Sequence, residues 1–224
     1  PDFIKDNNID YVMSKEIGNF GDASKFYWVD KVNGYYLIID DDIIYPENYI
    51  SNLIFNIEKF ERKAIVGYHG IIYPNKKMSE LTERKVFSCN KALNFNRFVH
   101  ALGTGCMGFH LSVLEKINLE IFKKPNMADV WFAKFCQEKG IPMIVVERGP
   151  NYIAPIDITN YNSIWKSSNK KDGSFMDTKD KQLEVISSLN WEIHDKKVNN
   201  KKLFSVLIPA YGTSNYIKEL CDSV

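Results

Sequence analysis

Tyr35-Tyr36-Leu37-Ile38-Ile39-Asp40-Asp41-Asp42-Ile43-Ile44-Tyr45-Pro46 is the stretch that decides how this chain reads. Five apolar residues run straight into three carboxylates. A short apolar run of this kind fits a strand buried on both faces, as in a parallel sheet. Three adjacent acids cannot follow it into the core, because burying unpaired charge is too costly. They belong at the strand's mouth, where open α/β sheets bind ligands. Clustered carboxylates there suit a hard divalent cation, and such a cation usually brings phosphate with it. The plain alternative is a solvated acidic turn.

Working outward, strands and helices alternate. Ile9–Met13 reads as a short strand, and Gly21-Asp22 opens a helix with Asp22 as N-cap and Ala23, Phe26 and Tyr27 at helical spacing. Asn33-Gly34 ends that helix before the strand at 35–39. Pro46 starts the next helix, with Ile50, Leu53, Ile54, Ile57 and Phe60 as its apolar stripe, and Ala64–Tyr68 is another strand. This β-α-β-α-β order predicts an α/β sandwich with a largely parallel sheet.

Residues 71–97 are polar and mixed and read as a long excursion. Phe98–Leu102 and Cys106–His110 are strand pieces around the turn Gly103-Thr104-Gly105, and Ser112–Ile117 is a short helix. Asn126 caps a helix carrying Trp131, Phe132, Phe135 and Cys136 that ends at Gly140. Pro142–Glu147 is a strand, and an amphipathic helix lies near Leu183, Ile186 and Leu189. The lysine-rich stretch 192–202 reads as a linker. Leu203–Tyr211 then begins a new apolar strand.

The bulk numbers fit one globular domain or slightly more: 224 residues, 45% hydrophobic and 25% charged. A net charge of +1 gives no field that points to nucleic acid or an acidic membrane. Cys89, Cys106, Cys136 and Cys221 form no C-x-x-C pair and no zinc spacing, so they read as reduced thiols, which suggests cytoplasm. His69, His100 and His110 alternate with apolar residues and read as core or edge histidines.

Gly21-Asp22-Ala23-Ser24-Lys25-Phe26, the Asp40-Asp41-Asp42 strand, Gly103-Thr104-Gly105 and Pro125-Asn126-Met127-Ala128-Asp129-Val130-Trp131, in this order, resemble bacterial family 2-type glycosyltransferases of the GT-A fold. The resemblance spans roughly residues 3–165. It implies a Rossmann-like α/β/α sandwich with a mostly parallel sheet over residues 1–191, truncated at its amino end by about two βα segments. Residues 203–224 resemble the start of a second such module, whose usual opening reads S-V-x-I-P-x-Y.

The resemblance also implies a chemistry. Asp40 and Asp42 would hold Mn2+ or Mg2+ on the diphosphate of a nucleotide sugar, UDP-linked, stabilising charge on the leaving group. Asp41 would reach a ribose hydroxyl or shape the turn, and Lys25 would lie near the nucleotide; its alternative is a solvated lysine in a first helical turn. Asp129 would be the general base that takes the acceptor hydroxyl's proton in an inverting transfer. Trp131 would offer a platform for an acceptor sugar, or simply be core. Gly103, Thr104 and Gly105 would let backbone approach a sugar closely, or form a plain turn. The implied partners are a nucleotide-diphosphate sugar and a glycan or lipid-linked acceptor, with peripheral membrane association through the full-length protein and no nucleic acid. Two other readings stay open. One is a haloacid-dehalogenase-like phosphatase with Asp40 as nucleophile, and the other is a non-catalytic carbohydrate-binding or assembly module.

Overall fold

The apolar run forms strand β1 (Tyr35–Ile39), and Asp40 follows it directly. The computed structural model describes residues 9–13, 16–18, 20–75, 77–114, 117–156, 176–195 and Val198. After the acidic turn come the two-residue strand β2 (Ile43–Ile44) and helix α1 (Tyr49–Lys59). The chain continues through β3 (Ile65–Gly67), β4 (Gly70–Ile72), β5 (Lys85–Phe87), β6 (Arg97–Val99), β7 (Ala101–Leu102) and β8 (Cys106–His110). Helix α2 (Ala128–Lys139), β9 (Met143–Val145), β10 (Ala154–Pro155) and α3 (Met176–Ser187) complete it.

The main sheet has the order β1-β8-β3-β9-β6. It is mixed and mostly antiparallel, which corrects the mostly parallel sheet that the alternating pattern predicts. Only β3 and β9 pair in parallel; β1–β8, β3–β8 and β6–β9 are antiparallel. The reason lies in the excursion. Residues 100–103 return along 69–72, through the β4–β7 pairing and the bonds His100 N to Ile71 O and Gly103 N to His69 O, each 2.9 Å. The chain therefore re-enters the sheet at the same end at which β3 left it, and β8 must run backwards. A parallel entry would have needed a crossover to the far end. Since β8 opposes both β1 and β3, those two and β9 still share one direction. Their carboxyl ends, and the amino end of β8, gather on one rim.

Both faces of the sheet are covered. Tyr36 and Ile38 of β1 join the core on the α2 side, with Phe132 and Ala133, while Tyr35 and Leu37 lie on the α1 side with Leu53 and Ile57. This is the period of two expected of a strand between two apolar layers. In α1 the expected stripe holds at Leu53, Ile57 and Phe60, but Ile50 is 61% exposed and Tyr49 takes the buried place. Helix α2 ends at Gly140 in the left-handed conformation, as its sequence predicts.

Some expected elements differ. Ile9–Met13 forms no strand, and Tyr11 is exposed. The helix expected over Ser112–Ile117 begins instead as a 3-10 turn, Leu111–Val113. Next to the expected linker, Trp191 packs with tilted rings against Tyr73 and His100, and Val198 within it is buried. Residues 203–224 lie outside the described residues. Among the described residues, no helix is long and apolar enough to cross a membrane.

Candidate functional site

Asp40 stands where β1 leaves the sheet, and its Oδ1 accepts a 2.5 Å charged bond from Lys25 Nζ. Lys25 comes from the 3-10 helix Gly21–Phe26, whose Phe26 is buried on Phe122 and Phe132. Tyr36 of β1 ties the two segments together by donating its hydroxyl to Lys25 O at 2.7 Å. The backbone of Lys25 is thus fixed by its neighbours, and its side chain is only 20% exposed.

The other carboxylate oxygen of Asp40 lies against Gly105. A Cβ built on Gly105 would stand 1.9 Å from Asp40 Oδ2 and 2.5 Å from its Cγ, so no side chain fits there while Asp40 keeps this position. Tyr45 locks the same junction. Its hydroxyl accepts from Asp40 N at 2.7 Å and donates to Gly105 O at 2.5 Å. Burial pushes this phenol's pKa well up, with the Asp40 and Asp42 charges adding to the effect, so it stays a neutral donor.

One residue before Gly105, Thr104 holds Asp129. Its backbone N–H and its hydroxyl donate to Asp129 Oδ1 at 2.8 and 2.6 Å. Both bonds fall on Oδ1, and Oδ2 takes neither. Asp129 sits in the first turn of α2, where a carboxylate is favoured by the helix dipole. Asp22 secures the same turn, accepting from Ala128 N at 3.0 Å. The sequence suggests Asp22 as cap of its own helix; it caps α2 instead, 106 residues away. Gly21, at φ 59°, makes this approach feasible, because a Cβ there would meet Asn126 Oδ1 at 2.7 Å. Burial raises the pKa of Asp22; the bond from Ala128 opposes the rise, and the Asp129 charge adds to it. Its second oxygen, Oδ1, is buried without a partner.

The segments singled out in the sequence therefore converge. Lys25, Asp40, Thr104, Gly105 and Asp129 form one chain of direct contacts on the rim of co-directed strand ends. Gly103 belongs to it as well, packed on the ring of His69 at 3.1–3.4 Å from where its Cβ would lie. Asp42 is half-buried in the acidic turn, its carbonyl accepting from Ile156 N at 2.9 Å, and Asp41 is exposed. Trp131 stands apart: it is 7% exposed, lies in the core beside Phe132, and its indole N–H has no partner.

Three residues of the site escape the sequence reading. Tyr45 follows the acidic turn closely, and a hydroxyl-bearing aromatic beside three acids is a usable sign. His69 directly follows the stretch Ala64–Tyr68, at the same sheet end as Asp40, and only the strand directions reveal this. Burial lowers its pKa while the Asp129 charge pulls the other way, so the ring is neutral beside an acid. The role of Asp22 depends on a partner in the other half of the chain. The buried thiols take no part: burial pushes Cys106 up to about 12 and Cys136 well up, which leaves them inert.

Among the described residues, no group of three or more His, Cys, Asp or Glu side chains is arranged to hold a metal ion by itself. The donor type still fits a hard cation shared with a ligand, since Mg2+ takes one or two protein carboxylates and completes its shell with phosphate and water. Asp40 and Asp42 supply that number. No protein-family model matches the chain, and no curated protein matches it.

Proposed function

We propose that this chain carries the donor and base sites of a metal-dependent inverting glycosyltransferase of the GT-A type. It would move a sugar from a nucleotide-diphosphate sugar, UDP-linked, to a glycan or lipid-linked acceptor in bacterial surface-polysaccharide synthesis. The supporting observation is the contact chain Lys25–Asp40–Gly105–Thr104–Asp129, which brings a cation, an acidic turn and a second carboxylate together. A sheet with helices on both faces and acids at a strand mouth is compatible with the GT-A architecture.

Each residue has a task in this reading. Asp40 and Asp42 would hold Mn2+ or Mg2+, which supplies charge stabilisation to the departing diphosphate. Lys25 adds a second positive charge beside the same turn. Asp129, oriented by two bonds on Oδ1, presents Oδ2 to the acceptor hydroxyl and takes its proton. Thr104 is the positioning residue for that base. Gly103, Thr104 and Gly105 would form the turn that borders the sugar, the bare glycine backbone admitting His69 and Asp40 at close range, and Asp41 would reach out toward the ribose. Trp131, two residues after Asp129 in α2, is buried in the core and takes no sugar in this reading. The location that suits this chemistry is the cytoplasmic face of the cell membrane.

The test is manganese-dependent turnover of a panel of nucleotide sugars by the full-length protein. Asp40→Asn and Asp42→Asn should each abolish it. Full activity in both variants would refute the assignment. Phosphoenzyme trapped at Asp40 during phosphate-ester hydrolysis would favour the phosphatase reading in its place.

A further inference from the structure

The carboxylate assigned to the metal is already paired. Lys25 Nζ sits 2.5 Å from Asp40 Oδ1, and Oδ2 is pressed on the backbone of Gly105. A divalent cation on Asp40 would have to displace the ammonium from Oδ1 or share the carboxylate with it, since the approach to Oδ2 is narrowed by Gly105. A lysine ammonium and a divalent ion on one carboxylate would also repel each other at a few ångströms. Building on the proposed function, we infer that Lys25 and the divalent cation compete for Asp40, and that a diphosphate resolves the competition by taking the ammonium.

The surroundings show how the exchange can run. Tyr36 anchors Lys25 only through the backbone carbonyl, and Phe26 anchors the helix, so the side chain can swing without unfolding its support. The swing calls for a new partner outside the chain: Asp22, the carboxylate whose charge also acts on Lys25, keeps Oδ2 on Ala128 N, and its other oxygen is buried. A diphosphate is a partner of the right charge, and it also brings oxygen ligands for the incoming ion. Free cation alone brings neither. Lys25 is thus a selectivity residue that makes cation binding conditional on the nucleotide and keeps the acidic turn from filling with adventitious metal.

The experiment follows free Mn2+ by electron paramagnetic resonance in the full-length protein, with and without UDP. Wild type should bind Mn2+ weakly alone and about tenfold or more tightly with UDP, within the range of ordinary coupling between ligands. Lys25→Met should bind Mn2+ alone about tenfold more tightly than wild type, and UDP should add little. Lys25→Arg, which keeps a cation on Asp40, should retain the wild-type dependence. Thermal unfolding of each variant checks that the fold persists. If Lys25→Met gains no affinity for Mn2+ alone while UDP and Mn2+ still bind together, the competition is wrong and the proposed function stands. If neither protein binds Mn2+ or UDP under any condition, the proposed function fails and takes the competition with it.

Discussion

Gly105→Ala is the sharpest probe of how the site is assembled. The new Cβ would stand 1.9 Å from Asp40 Oδ2 and 2.5 Å from Asp40 Cγ, well inside any tolerable contact. Gly105 is not among the glycines at positive φ, so alanine meets no backbone objection and the clash with Asp40 is the whole perturbation. The cheapest relief is rotation of Asp40 out of its place, since its side chain is 36% exposed. That rotation breaks the Lys25 bond, a partly exposed pair whose loss costs roughly 1 kcal/mol at most. If Asp40 cannot rotate, overpacking costs about 1–3 kcal/mol. We therefore expect a loss of roughly 1–2 kcal/mol in urea unfolding, with an unchanged slope. In an Asp40→Ala background the atoms at 1.9 and 2.5 Å are gone and the nearest contact is the residue 40 Cβ at 3.2 Å, so the same substitution should cost well under about 1 kcal/mol. Equal losses in both backgrounds would show that Asp40 does not lie on Gly105.

Tyr45→Phe removes the hydroxyl that serves Asp40 N and Gly105 O; about 1–3 kcal/mol of stability should go with it, measured by the same unfolding titration. Like the partly buried His69, His100 contributes to the acid sensitivity of the fold. Its Nδ1 accepts from Tyr73 N, and burial lowers its pKa to about 4 from 6.5, so the folded chain binds fewer protons than the unfolded one between those values. Its contribution is complete above pH 6.5 and is lost as pH falls toward 4, up to about 3 kcal/mol. His100→Asn, which keeps an acceptor for Tyr73 N, should flatten that part of the stability profile.

What the sequence discloses is local, and what it hides is long-range. The strand at 35–39 is legible because an apolar run that ends in charge has one physical solution. Helix α2 is legible because Gly140 closes it and its apolar residues have helical spacing. The direction of β8 is not legible, because it depends on residues 100–103 returning along 69–72, a pairing with no mark in either stretch. The same holds for the site. The residue types at Asp40, Asp129 and Lys25 announce chemistry through their resemblance and order, whereas Gly105 against Asp40 and Asp22 on Ala128 are contacts between distant segments. Trp131 illustrates the opposite case: an aromatic beside an acid suggests a sugar platform, and helix packing turns it into the core.

The central claim is that the carboxylate held by Thr104 acts on the acceptor in a transfer from a nucleotide sugar. Asp129→Asn tests it most directly in the full-length protein, with turnover and nucleotide affinity measured side by side. Asparagine keeps an oxygen for the two Thr104 donors, so the fold and UDP binding should survive nearly unchanged. Turnover should fall by roughly 10²–10⁴, the usual scale for removing a general base. Wild-type turnover in Asp129→Asn, with the fold and UDP binding intact, would contradict the account.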